Sequence, residues 1–485
     1  MVFLKYYVFL HKFKFWGNMF NSETYINRRQ TLKETVKSGL ILFPGNTDAP
    51  ANGPYNYYHF RQDSSFLYYF GLQREDLFGI IDVDNDCDYL FGDDVDIDDI
   101  IWFGSVQTVS EQGEQVGITH TGRFQEARVL IEQALAEGKS IHFLPPYRYS
   151  TKQLLAEWLQ LDVKALQERA SLELIHAVVA QRSIKSDAEV NEIERACAIG
   201  YKMHTMAMKL CSPAVTEHFI AGMLDGVANS LGAMVSFPSI VTMHGEIMHG
   251  YPSDNYLEDG RLLLVDAGAE TIDNYCSDHT RTSPISGHFT NKQRDIYTIV
   301  EECHDLAKEL AKPQVFWKDV HMAVCRKMTE MLKDLGLMKG DVDAAVAAGA
   351  HALFLPHGLG HMMGMDVHDM ESIGQKYVGF DSEVQPSEQF GLASLRLGRR
   401  LQEGFVVTDE PGIYFIPALI DLWESQGTNK DFLNFDNINK FRNFGGIRIE
   451  DDLLITADGA RFLGKDQIPY HIPELEEYLL KNKYE

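Results

Sequence analysis

The chain predicts an α+β protein in two parts, an α/β region over residues 19–180 and a larger α+β domain over 186–465. Three observations predict it. Strand-like and helical runs alternate in the first part. A capped amphipathic helix opens the second, after which long helices interleave with strands that come in adjacent, hairpin-like groups. The length, 485 residues, allows two or three domains and a large core.

Residues 1–18, "MVFLKYYVFLHKFKFWGN", are apolar and aromatic but carry Lys5, Lys12 and Lys14. The charges leave no span long enough for a membrane helix, and no small-residue cleavage site follows. We read this stretch as an extension ahead of the second methionine, Met19. From Met19 onward, Gly39–Pro44, Leu77–Val83, Ile100–Phe103 and Ser140–Leu144 read as strands, and Thr121–Glu137 as a helix. The acidic run "DVDNDCDYLFGDDVDIDDI" reads as a solvated loop and strand edge. Cys87 stands where a calcium loop needs glycine for its sharp turn.

At "RSIKSDAEVNEIERACAIGYKMHTMAMKL" the texture changes. Ser186 and Glu189 form a capping box, and Val190, Ile193, Cys197, Tyr201, His204 and Met208 recur at helical spacing. Helices over 187–210, 215–231, 291–311 and 317–335 then alternate with strands Leu262–Ala267, Phe405–Thr408 and Gly446–Thr456. That grouping favours an antiparallel sheet. Residues 466–485 form a C-terminal tail closed by the helix "PELEEYLLKNK".

Composition is that of a globular protein, 45% hydrophobic and 24% charged. A net charge of -26 argues against nucleic acid and anionic membrane as partners. The six cysteines, none in CxxC spacing, read as reduced thiols of a cytoplasmic protein. Cys276 admits a nucleophile's role, but a small buried strand residue explains it as well.

The chemistry gathers in the second domain, where ionisable residues adjoin apolar runs. Asp266 ends "LLLVD", Asp278 lies in "NYCSDHTRT", His361 in "LPHGLGHMMGMDVHD", Glu410 in "FVVTDEPGIYF" and Glu450 in "GGIRIEDDLLIT". Singly, each is explained by a salt bridge or a satisfied core polar group. Together, four carboxylates and one imidazole need a positive neutraliser, and lysine is nearly absent from these segments. Two divalent ions are the economical answer, and an oxygen-rich set suits Mn²⁺ best, with Co²⁺ or Zn²⁺ as alternatives. Paired ions activate a water and polarise a carbonyl. His357 and His361 are four apart, as in helical zinc sites, but Gly-Leu-Gly between them supplies no base and disfavours a helix. One of the two then binds metal while the other shapes the pocket, and the glycines permit close backbone approach.

The ordered motifs "VDAGAE…CSDHTRT", "PHGLGHMMGMDVHD", "EPGIYF" and "GGIRIEDD" resemble those of the pita-bread metallopeptidases, specifically the proline peptidases prolidase and aminopeptidase P. "FRQDSSFLYYFGL" is similar to their N-terminal domain. The resemblance implies a pita-bread (creatinase/aminopeptidase-like) catalytic domain behind a creatinase-type α/β domain, and hydrolysis of the Xaa-Pro bond. It implies that Asp266 chelates one ion, that His361 and Glu410 hold the other, and that Asp278 and Glu450 bridge them. Glu410 would also accept the proton of the attacking water. His249 would face the scissile peptide, His368 would polarise its carbonyl, and Arg448 would support the ligands from behind. His279 stands where the family has an apolar residue and is left out of the site. A homodimer is the family's usual state.

Arg396 falls where prolidases carry an arginine that recognises the free carboxylate of a dipeptide, and residues 416–444 resemble a prolidase insertion. "VTMHGEIMHGY" resembles aminopeptidases P equally. The dipeptidase is the favoured reading and the aminopeptidase the alternative. Creatinases lack the ligand set, methionine aminopeptidase does not need the N-terminal domain, and a non-catalytic scaffold would have lost the ligands. A last expectation is geometric. A two-residue turn at Asp273-Asn274 would turn Asp266 and Asp278 to opposite faces, so a shared ion demands an odd-length connection or a bulge near 271–273.

Overall fold

The computed structural model describes residues 20–54 and 56–482, so the extension expected over 1–18 lies outside the described residues. Two compact units meet in sequence at Val178 and Val179.

The first unit is built on a five-stranded mixed sheet. Strand Leu40–Pro44 pairs antiparallel with Phe78–Asp82 and parallel with Ile141–Phe143. Phe78–Asp82 pairs antiparallel with Cys87–Phe91, and that strand pairs parallel with His120–Gly122. Leu42, Phe78, Ile80, Ile131 and Trp158 fill its core. The helix Phe124–Ala136 starts three residues later than expected, because residues 120–122 go to the sheet edge.

Two expectations are corrected here. The first half of the acidic run is a hairpin: Asp82 accepts from the Asn85 N–H, Asp86 takes a left-handed φ of 49°, and the chain returns as strand Cys87–Phe91. Residues 100–103 are not a strand but the last turns of a helix, Ile97–Phe103. Asp96 caps that helix by accepting from the Asp98 and Asp99 N–H groups, and Asp99 returns a bond to its backbone. The cap outweighs the β preference of the isoleucines.

In the second unit every strand pairing is antiparallel. Helices Asp187–Leu210, Glu217–Ser230, Asn291–Leu310 and Trp317–Asp334 match the spacing reading within two residues. Leu262–Ala267 lies between Ile240–Thr242 and His279–Pro284. The expected strand over 446–456 is broken into Gly446–Arg448 and Asp451–Ile455, which pair with Gly412–Tyr414 and Val406–Asp409 respectively. The break falls at Ile449 and Glu450, and it positions the site. Among the described residues no helix is long and apolar enough to cross a membrane.

Candidate active site

Two strand pairs each present two carboxylates. In the first, Asp266 pairs with Thr280 and Glu270 with Cys276. The same register sets Asp278 opposite Gly268, two residues from Asp266 and therefore on its face of the sheet. The connection is odd in length. The Thr271 and Tyr275 backbones bond across a three-residue loop, 272–274, with Asn274 at a left-handed φ of 59°. In the second, Val406–Asp409 pairs with Asp451–Leu454 and Gly412–Tyr414 with Gly446–Arg448 in one continuous register. Glu410 and Glu450, in the gap between the two ladders, fall opposite each other. The two assemblies join where Thr280 and Glu450 exchange backbone hydrogen bonds of 3.3 and 3.1 Å.

His361 enters from the loop after the short turn Ala350–Leu353. Its backbone N–H donates to the Thr408 hydroxyl at 3.0 Å, and its carbonyl accepts from the Thr408 N–H at 2.9 Å. A Cβ at Gly360 would lie 1.9 Å from the Thr408 carbonyl oxygen, so the close approach expected of the glycines is real there. His361 Nδ1–H donates to the Met362 carbonyl at 3.1 Å, which leaves Nε2 as the free lone pair. Nε2 lies 3.5 Å from Asp278 Oδ2 and 3.9 Å from Glu410 Oε1. One ligating atom each from Asp278, His361 and Glu450 falls within 4.8 Å of the other two.

The electrostatics describe a cluster short of positive charge. Burial, then Asp266 and Glu410, push the Asp278 carboxyl well above its usual range. Burial and Glu450 do the same to Glu410, and burial, Asp278 and Asp266 to Glu450. Burial takes the His361 imidazole down to about 4, so it is neutral and able to ligate. Arg448 is a buried cation in contact with the carboxylates: it bonds Asp266 and lies 3.6 Å from Glu450. Asp266 Oδ1 and Asp278 Oδ1 are buried without a hydrogen-bond partner among the described residues. Orphaned carboxylate oxygens, a neutral imidazole with a free Nε2 and surplus negative charge suit divalent cations.

The remaining expected residues lie around this cluster. The His368 ring centroid lies 4.2 Å from that of the His361 ring at a tilt of 58°, and its Nδ1 lies 3.4 Å from Glu371. Arg396 bonds the same Glu371 carboxylate, and its charge is felt at His357, His361 and Glu410. His249 is exposed on a turn and acts electrostatically on His357.

Three further side chains take part, of which Thr280 and Tyr414 were not expected. His357, read as shaping the pocket, donates from Nδ1 to the Gly358 carbonyl at 2.7 Å. Its Nε2 accepts from the Tyr414 hydroxyl at 2.9 Å, and Tyr414 accepts from Arg448 Nη1 at 3.0 Å. Thr280 donates to Glu450 Oε2 at 2.6 Å and accepts from Arg448 Nε at 3.0 Å. Tyr414 lies inside the "EPGIYF" motif and Thr280 inside "CSDHTRT", and that placement was the available signal. His279, left out of the site, is buried beside His204 on the far side of its strand from Asp278, and burial lowers it to about 4.

Residues 191–457 match metallopeptidase family M24, and residues 25–142 match the aminopeptidase P N-terminal domain. Over 428 residues the chain is 31% identical to human Xaa-Pro dipeptidase, covering 86% of this chain and 84% of that one. It is 30% identical over 421 residues to a "Probable Xaa-Pro aminopeptidase" of Fusarium vanettenii, covering 86% and 87%. Among solved structures, aminopeptidase PepP of Pseudomonas aeruginosa superposes with a TM-score of 0.78 at 26% identity, over 96% of this chain and 99% of that one. Zinc-substituted Escherichia coli aminopeptidase P in complex with product gives 0.77 at 28%, over 96% and 100%.

Proposed function

Because the chain belongs to metallopeptidase family M24, we propose that it hydrolyses the peptide bond preceding proline, with Xaa-Pro dipeptides as the favoured substrates and longer Xaa-Pro peptides as the alternative. The supporting observation is the opposition of two carboxylate pairs around the free Nε2 of His361.

Asp266, Asp278, His361, Glu410 and Glu450 are the residues to hold two divalent ions, Mn²⁺ by the oxygen-rich set. Bound ions would lower the pKa of a water and polarise the scissile carbonyl. Glu410, opposite Glu450 and 3.9 Å from His361 Nε2, is the carboxylate suited to take that water's proton. His368, whose ring lies 4.2 Å from that of His361, would hydrogen-bond the carbonyl oxygen, and His249 would face the scissile peptide. Arg448 balances Asp266 and Glu450 from behind and orients Tyr414, which fixes the His357 ring.

Arg396 supports the dipeptidase reading. Its charge reaches the cluster, and its remaining donors can meet a proline carboxylate. Turnover of Gly-Pro and Gly-Pro-Pro separates the two readings: the dipeptide alone marks a dipeptidase, and the longer peptide marks an aminopeptidase. Arg396→Ala also releases Glu371, which affects both substrates alike, so a selective loss of dipeptide kcat/KM identifies the clamp and an equal loss removes it. Full activity in chelator would defeat the metal reading. A cytoplasmic homodimer completes the proposal. Six free cysteines support the compartment, and light scattering tests the assembly.

A further inference from the structure

A second group of ligating side chains lies in the second unit and shares no residue with the peptidase cluster. His321 and Cys325 sit four apart on the helix Trp317–Asp334, so both project from one face. His351 comes from the turn Ala350–Leu353, packed against that helix. All three are buried, at 1%, 0% and 1% exposure. Cys325 Sγ lies 3.4 Å from His321 Nε2, and one ligating atom of each residue lies within 4.8 Å of the others.

We propose that Cys325, His321 and His351 form a binding site for one thiophilic metal ion, of the Cu⁺ or Zn²⁺ class.

A thiol–imidazole hydrogen bond would account for His321 and Cys325 alone. It does not account for His351, whose two ring nitrogens are both without a hydrogen-bond partner among the described residues, as is His321 Nδ1. A neutral imidazole carries one donor and one acceptor, so a ring buried in this way leaves both unmet. The spacing is that of ligands around one ion. Metal–sulfur and metal–nitrogen bonds of about 2.3 and 2.0 Å at a tetrahedral angle separate S from N by about 3.5 Å. Both rings are in the ligating form, because burial lowers His351 to about 4, and burial and its neighbouring histidines lower His321 to about 3. One sulfur and two imidazoles select soft or borderline cations over the hard ones that suit the carboxylate cluster. A single thiolate balances one positive charge, so Cu⁺ leaves the cluster neutral in the core, whereas Zn²⁺ leaves one charge over.

The test is an anaerobic titration of the full chain, under reducing conditions, with Cu⁺ and separately Zn²⁺ against a chromogenic chelator of each ion. The expected result is one Cu⁺ per chain retained with a thiolate-to-metal ultraviolet band or one Zn²⁺ per chain beyond those the carboxylate cluster holds. That ion falls to none in Cys325→Ser and in His351→Gln, and is kept in Cys197→Ser and Asp278→Asn. Retention of either ion in this pattern assigns the site and identifies the class member. If the native chain retains no Cu⁺ and no Zn²⁺ beyond that held by the carboxylate cluster, or if the retained ion is the same in Cys325→Ser, the proposal falls. Where a variant fails to fold, the thiolate-to-Cu⁺ band of the native chain decides the matter, because the carboxylate cluster supplies no sulfur ligand.

Discussion

Thr280 has no charge and no ligand role, yet its hydroxyl lies between two charged groups of the site. Thr280→Val removes that hydroxyl at constant shape and keeps the β-branched side chain the strand prefers. The backbone bonds between Thr280 and Glu450 are untouched. Two contacts go: the 2.6 Å donation to Glu450 Oε2 and the 3.0 Å bond accepted from Arg448 Nε. Hydrogen bonds to charged groups are each worth roughly 1.5–3 kcal/mol, and more when the site is fully buried. Arg448 Nε recovers part of its share directly from Glu450, 3.6 Å away, so about one bond's worth is lost. About 2 kcal/mol corresponds to roughly 30-fold in an equilibrium constant, within the ~10–100-fold typical of residues that orient a metal ligand. Chelator competition should therefore show metal affinity reduced by about that factor, with kcat falling at limiting metal and KM for Xaa-Pro nearly unchanged. Thr282→Val is the matched control. Thr282 is as buried, and its hydroxyl bonds only the Arg448 backbone, donating to the carbonyl at 3.1 Å and accepting from the N–H at 3.2 Å. It should cost stability without a comparable loss of metal. Equal affinity in Thr280→Val and the native chain, or an equal loss in Thr282→Val, would refute the orienting role.

Two further outcomes follow from the same geometry. Burial and its acidic neighbours raise the Asp278 carboxyl in the folded chain, so without metal its contribution is favourable below the ordinary carboxylate range and is lost as pH rises through the raised value. In chelator, Asp278→Asn should then raise Tm, more at about pH 8 than at about pH 5. The buried neutral histidines run the opposite way but act equally in both proteins. An apo Tm lowered by the asparagine at neutral pH would contradict this. Gly268→Ala sets a Cβ 1.8 Å from the Ser277 carbonyl oxygen, a backbone atom that cannot swing aside. Its cost should exceed the roughly 1–3 kcal/mol of ordinary overpacking, with bound metal lost as Asp278 moves. An unchanged Tm and metal content would mean that the strand pair is softer than its register implies.

The long helices of the second unit were legible because their apolar periodicity and caps act locally, and strand Leu262–Ala267 because an apolar run of that length has few other uses. The helix Ile97–Phe103 was misread because its isoleucines resemble a strand, while the deciding signal was the Asp96–Asp99 cap one turn earlier. Of the site, the charged residues stood out in the sequence because carboxylates beside apolar runs are anomalous. The hydroxyls of Thr280 and Tyr414 did not, because threonine and tyrosine are ordinary strand residues. Their contacts depend on which distant strand lies alongside, and that register is set by the whole sheet. The opposition of Glu410 and Glu450 was hidden for the same reason. Forty residues separate them, and only the ladders on either side of the gap bring them together.

That opposition bears on how the site and the fold depend on each other. Like charges directly across a sheet are destabilising, and here Glu410 and Glu450 stand directly opposite while Asp266 and Asp278 share one sheet face two residues apart in register, with Arg448 in contact with Asp266 and near Glu450. Four ionised carboxylates against one guanidinium leave three negative charges, so the metal-free fold favours the protonated forms of Asp278, Glu410 and Glu450, each raised by burial and its acidic neighbours. Protons and divalent ions then compete for the same oxygens, and metal affinity must fall with pH even though the ligands stay in place. Arg448 cannot remove the competition, but it sets where the charge deficit falls. It bonds Asp266 from the first strand pair and approaches Glu450 from the second, whereas Asp278 and Glu410 face His361 Nε2 with no arginine in ion-pair contact among the described residues. The geometry sets two carboxylates beside a neutral nitrogen able to ligate. The selectivity for a cation at that point therefore comes from the placement of the arginine as much as from the ligands themselves.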